Sequence, residues 1–185
     1  MDNVVQSFEV RAVRAIDLYK FCEILMDATR WFENDGEAFW DRQQIVPHTI
    51  LARYRIDELF LGYVDKRPVA AMIFNNRCHW SQISESERRA SLFVHKLAVI
   101  REVAGQGYSE KMLDWAYQQS VSEGYNQLIL LCNCYHNKLR QLWQRFGFNE
   151  INSQDEQGEL NRYYVQPVEL GSRLGNGKNL LRTWG

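Results

Sequence analysis

The stretch from Leu92 to Val121 constrains this chain more than any other part of it. A β-prone run, Ser91 to Ile100, leads into the loop Ala104-Gly105-Gln106-Gly107-Tyr108-Ser109, and the loop opens a segment that reads as a helix to about Glu123. A strand that turns through glycines into a helix is an anion-binding device. Glycine lets the backbone approach a phosphate closely, and the first-turn N–H groups together with the helix dipole favour negative charge. An apolar run follows at Gln127 to Cys132, so the unit predicts one parallel crossover centred on the loop.

Two of the ligand classes that use such a loop fail on its residues. An ATP-type loop requires Gly-x-x-x-x-Gly-Lys-Ser/Thr, which does not occur here. A dinucleotide loop requires a third glycine where Glu110 stands and an acid at the end of the next strand, yet Gln127 to Asn133 contains no acid.

Around this unit the periodicity predicts further elements. Phe8 to Val13 reads as a strand. Asp17 is placed to cap a helix whose stripe Leu18, Phe21, Cys22 and Leu25 has helical spacing, broken at Asn34-Asp35-Gly36. A second helical stretch runs from Glu37 to about Tyr54, split by Pro47. Glu58–Val64 and Val69–Asn75 read as a hairpin around Asp65-Lys66-Arg67-Pro68, and Asn76 to Arg89 as a polar loop. A short helix from Asn137 to Phe146 ends at Gly147, followed by strands at Phe148–Ile151 and Leu160–Val168. The expected order is β-α-α-β-β-β-α-β-α-β-β, an α/β chain whose mixed sheet carries helices on both faces. One domain is expected over residues 1–168, with 169–185 as an arm or tail.

Composition narrows the function. The 22 basic and 23 acidic residues nearly cancel, which argues against nucleic acid as the main partner. No run approaches the roughly 18 apolar residues of a membrane span, and the four cysteines lack secreted-miniprotein spacing. These features predict a protein of the cytoplasm with no membrane partner.

Residues Leu97 to Leu113 resemble the GCN5-related N-acetyltransferase (GNAT) superfamily, whose loop has the form Gln/Arg-x-x-Gly-x-Gly/Ala. Gly107 holds the glycine position, Ala104 the Gln/Arg position and Ser109 the Gly/Ala position. Asn137 to Phe148 resembles the family's second block, an Asn followed by Tyr/Phe and then Gly-Phe. Gly147 and Phe148 match, and Trp143 stands at the Tyr/Phe place. The resemblance spans about Phe8 to Val168 and implies an acetyl-CoA-dependent N-acetyltransferase. Ala104, Gly105, Gln106, Gly107, Tyr108 and Ser109 would hold the CoA pyrophosphate through backbone N–H groups, with charge from Arg101 or Lys111. Leu97, Ala98 and Val99 would line the pantetheine arm beside a strand bulge, and Asn137 and Trp143 would flank it. Transfer would be direct, within a ternary complex, to an amine on a small molecule or peptide. The family commonly forms homodimers.

The proton-handling groups are less defined. The resemblance puts Phe93 at the place of a catalytic glutamate, and His95, two residues on, is the candidate general base or equally a packed histidine. Glu85 and Glu87 are fallback bases. Trp143 cannot supply a proton to the leaving thiolate; Tyr135, Tyr108 and water are the candidate donors, and no acid is assigned. Trp31, Phe32, Phe39 and Trp40 either wall an acceptor pocket or pack the core. Cys132, Cys134 and His136 lack a fourth ligand and zinc-type spacing, so no metal site is assigned. The other reading of the same fold is a non-catalytic CoA-binding module.

Overall fold

The computed structural model describes residues 7–36, 40–131, 137–154 and 160–169. Its strands are β1 (Phe8–Ala12), β2 (Leu59–Val64), β3 (Arg67–Asn75), β4 (Ser91–Val99), β5 (Gln127–Leu131), β6 (Asn149–Gln154) and β7 (Leu160–Pro167). Its helices are α1 (Leu18–Asn34), α2 (Pro47–Arg53), α3 (Glu85–Arg89), α4 (Tyr108–Glu123) and α5 (Asn137–Arg145). The seven strands form one sheet in the order β1-β2-β3-β4-β5-β7-β6. Only β4 and β5 run parallel among the described pairs, and α4 makes the crossover between them. The mixed sheet and its order of strands and principal helices match the sequence expectation.

Alternation along the strands assigns the two faces. Ala70, Met72 and Phe74 of β3 join Leu128 and Leu130 of β5 under α4 and α5, where Met112, Leu113, Ala116 and Trp143 are buried. Ala71 and Ile73 face the other way, with Leu59 and Leu61 of β2, and meet the buried α1 stripe of Leu18, Phe21, Cys22 and Leu25. A third cluster, built by Phe93, Ile129, Leu131 and Tyr163, is covered by Cys78 and Ile83 from the segment before β4. Adjacent Tyr163 and Tyr164 fall in different clusters, as strand geometry requires. Buried hydroxyls in the helices are satisfied locally, Thr29 Oγ1 donating to Leu25 O and Ser120 Oγ to Ala116 O, each at 2.9 Å.

Three local expectations change. Asp17 does not cap α1 with its side chain; it accepts from Arg14 Nε at 2.7 Å instead, because a 3-10 turn over Ala15–Asp17 leads into the helix. The hairpin turn is the two residues Asp65 and Lys66, both at positive φ, so Arg67 and Pro68 already belong to β3. The segment expected as a polar loop contains α3, held by a capping box in which Ser84 Oγ accepts from Glu87 N at 3.3 Å and Glu87 Oε2 from Ser84 N at 3.0 Å. The tail from 170 onwards lies outside the described residues.

Candidate functional site

The parallel pair β4–β5 is short. Ser91 to Val94 pair with Gln127 to Leu130, after which β4 runs on to Val99 with only β3 beside it among the described strands. The parting coincides with a bulge. Ile73 pairs with Lys96 and Phe74 with Val94, which leaves His95 as the extra residue on β4. The bulge also switches the alternation. Leu92 and Val94 pack under α4, and so do Leu97 and Val99, whereas Ala98 packs against α1. The resemblance put the bulge at Leu97–Val99; it stands just before them, and those three residues form the unpaired edge that follows it.

A cleft of about 130 Å³ opens along this edge. Leu97, Ala98 and Val99 form one wall, and Ala28, Trp31 and Phe32 of α1 another. Leu139, Leu142 and Trp143 of α5 close the third side, while Arg101, Ala104 and Ser109 reach it from the loop. The loop itself begins as a 3-10 turn at Arg101–Val103 and passes through Gly105 (φ 80°) and Gly107 (φ 82°) into α4. Neither glycine is required by lack of space, since a Cβ on either would meet nothing closer than 3.9 Å. Both are required by their left-handed backbone. The N–H groups of Gly105, Gly107, Ser109 and Glu110 donate to no backbone carbonyl among the described residues. They gather at the start of a 16-residue helix, the arrangement that receives an anion.

Of the two cations considered for this end, Arg101 lines the cleft and Lys111 does not. The Arg101 guanidinium lies 4.4 Å from the centre of the Trp31 ring, and its backbone N–H donates to Asp27 Oδ2 at 2.7 Å. Lys111 Nζ sits over Phe8 and Tyr108 instead. Gln106 is exposed. The Tyr108 ring is buried and stacks on Phe8 at 5.7 Å, away from the cleft walls. Its ring packs in the core.

His95 stands across the bulge on the α1 face. Its Nε2 is 2.7 Å from Asn75 Oδ1, its ring is edge-on to Tyr54 at 5.3 Å, and Phe93 lies behind it at 6.3 Å. The protein packed around the half-buried ring pushes its pKa down to about 4, so the imidazole is neutral throughout the physiological range. Asn75 binds Arg77 through its backbone N–H, and Arg77 pairs with Glu58 through Nε and Nη2. Burial pushes the Glu58 carboxyl up, but Arg77 and the Arg55 N–H outweigh it and hold the group below the ordinary carboxylate range. No sequence reading singled out Asn75, Arg77 or Glu58. They converge only through the β2–β3 pairing and the chain's turn beyond β3.

The remaining candidates separate. Glu87 closes the capping box of α3 and Glu85 pairs with Arg89, so both are occupied structurally and neither lines the cleft. Trp40 receives Lys96 Nζ over its ring at 4.7 Å. Trp143 is 5% exposed, and its Nε1 has no hydrogen-bond partner among the described residues. Asn137 is the first residue of α5, and its side chain lies outside the description. Phe39, Cys132, Cys134, Tyr135 and His136 lie outside the described residues altogether. Among the described residues no group of three or more metal-ligating side chains converges, and no helix is long and apolar enough to cross a membrane.

Residues 14–148 match the model of the acetyltransferase (GNAT) family. Among solved structures, the chain is similar to a GNAT-family acetyltransferase from Listeria monocytogenes, with TM-score 0.69 and 20% identity over 91% of this chain and 99% of that one. The PaiA N-acetyltransferase from Thermoplasma acidophilum, solved with coenzyme A, aligns with TM-score 0.68 and 11% identity over 87% and 99%. The ribosomal-protein-S18-alanine N-acetyltransferase from Escherichia coli aligns with TM-score 0.60 and 15% identity over 94% and 99%. Among curated proteins, none matches the sequence significantly.

Proposed function

Because the chain belongs to the acetyltransferase (GNAT) family, we propose that it moves an acetyl group from acetyl-CoA to a primary amine by direct transfer in a ternary complex. One observation carries this reading: the unpaired edge of β4 and the amide-rich start of α4 meet at the same cleft. Such a site suits a ligand with a pyrophosphate at one end and an amide-bearing arm at the other. Coenzyme A in the PaiA relative supports the assignment.

Bound acetyl-CoA supplies an activated acyl thioester. The residues of this chain do the rest. Gly105 to Ser109 hold the pyrophosphate by main-chain N–H groups, and Arg101 adds the charge that Ala104 cannot. Leu97, Ala98 and Val99 offer backbone groups to the arm and exclude water from it, with Trp143 packed along it and Asn137 at its flank. The amine attacks through its free lone pair, a neutral base nearby takes an N–H proton from the nitrogen as the C–N bond forms, and the C–S bond breaks to release a thiolate that water protonates. His95, behind the cleft wall and two residues before the cleft-lining Leu97, fills the role, its low basicity matched by the acidity the nitrogen acquires as it becomes cationic. Thiol release from acetyl-CoA over an amine panel tests the activity. Replacing His95 by Ala should lower turnover by about 100-fold with acetyl-CoA affinity kept, and an unchanged turnover removes His95 from the reaction.

A second reading has one observation in its favour. Trp143 places an indole, which cannot donate a proton to a thiolate, where the family's acid often stands. A chain that binds acetyl-CoA and releases no thiol with any amine would be a binding module of this fold.

A further inference from the structure

Between the two apolar clusters of the α1 face lies a polar network that contributes nothing to the cleft walls. Asn75 is its hub. It is 7% exposed, and its Oδ1 accepts the Arg77 main-chain N–H at 3.0 Å and stands 2.7 Å from His95 Nε2. A main-chain N–H can only donate, so the amide atom facing it is the oxygen. The same oxygen cannot donate to His95, so Nε2 carries the ring hydrogen. The lone pair is then on Nδ1, and the Arg77 main chain also hydrogen-bonds the ring.

We propose that Asn75 is a positioning residue that locks His95 in its Nε2–H tautomer and thereby makes Nδ1 the atom that takes the proton from the acceptor amine. The catalytic half of this statement rests on the function proposed above; the tautomer does not. In the step, the amine lone pair forms the C–N bond as the thioester C–S bond breaks, an N–H bond of the nitrogen made cationic breaks with its pair left on nitrogen, and the proton passes through Nδ1 and water to the leaving thiolate.

The choice of amide at position 75 has a cost that the proposal explains. Asn75 Nδ2 is buried without a hydrogen-bond partner, although its amide helps to stabilise the Glu58 carboxylate. An unpaired buried donor is unfavourable. An aspartate there would accept both bonds, but it would set a second carboxylate against Glu58. It would also stabilise the imidazolium, which has no lone pair to offer. The charged and titratable groups already facing the ring are Tyr54 beyond α2, Glu58 from the 3-10 turn before β2, Arg77 beyond β3 and Lys96 on β4. The Arg77 main-chain hydrogen bond and Glu58 favour the charged ring, whereas the Lys96 and Arg77 charges disfavour it. Asn75 adds direction without adding charge.

Ring 15N shifts of His95 in the intact protein at neutral pH should show hydrogen on Nε2. Asn75→Asp should raise the ring's titration midpoint from about 4 by roughly one pH unit or more, and the acidic limb of kcat/KM should rise with it. Asn75→Leu should lower kcat by about tenfold or more while KM for acetyl-CoA stays nearly constant. A wild-type ring protonated on Nδ1, or an unmoved midpoint in Asn75→Asp, overturns the lock. A midpoint that moves while the acidic limb stays still overturns the catalytic role. Absence of any acetyl transfer would instead refute the proposed function, and the tautomer measurement would still stand.

Discussion

Acidification should unfold this protein through His95 before it touches the carboxylates. The ring titrates near 6.5 when free and about 4 in the fold, because burial disfavours its charged form. The folded state therefore binds fewer protons than the unfolded one between these values, and stability falls as pH falls. The contribution is fully present above about 6.5 and is lost as pH drops towards 4. Integrated over that curve, the loss between pH 7 and pH 5 is about 2 kcal/mol. Glu58 works in the same direction but lower, since its folded pKa lies below the ordinary range. Urea unfolding at pH 7, 6 and 5 of the wild type and His95→Gln isolates the term, because glutamine keeps a donor for Asn75 and cannot titrate. The two stabilities should converge as pH falls, by about 2 kcal/mol at pH 5. Parallel pH profiles would refute the burial argument and with it the neutral His95.

Gly62 on β2 faces α4 so closely that a Cβ would stand 2.7 Å from Met112 Sδ and 2.8 Å from Phe8 Cζ. Gly62→Ala should destabilise by about 1–3 kcal/mol in urea unfolding. Gly107→Ala forces a left-handed backbone at φ 82° on alanine and should cost about 1 kcal/mol of stability. It should also weaken acetyl-CoA binding measured by calorimetry. Arg101→Ala should weaken that binding by roughly fivefold, about 1 kcal/mol, with a shallower salt dependence. Lys111→Ala should leave it nearly unchanged, because Lys111 lies outside the cleft.

The glycine loop, the parallel crossover and the α1 stripe are legible in sequence because each is a local pattern of backbone demand or apolar spacing. The capping box Ser84 to Glu87 was legible as well, and reading that segment only for its polarity conceals α3. The bulge leaves a trace that is easily passed over: Leu92 and Val94, then Leu97 and Val99, are two alternating pairs with two residues between them instead of one, the signature of one inserted residue. His95 could be picked from its position two residues beyond Phe93, but not its partner. Glu58 is far in the chain from Asn75 and Arg77, and only strand register brings it to them. Arg101 could be separated from Lys111 only once α1 was seen to bring Trp31 to the cleft.

The central claim is that the cleft beside β4 takes coenzyme A and presents its thioester to an amine. Thermal unfolding with acetyl-CoA, CoA, ATP and NAD, followed by thiol release from the acetyl-CoA complex over an amine panel, tests it most directly. Acetyl-CoA and CoA should stabilise the protein, ATP and NAD should not, and free thiol should be released only when an amine is present. Stabilisation by NAD or ATP without any by coenzyme A would contradict it.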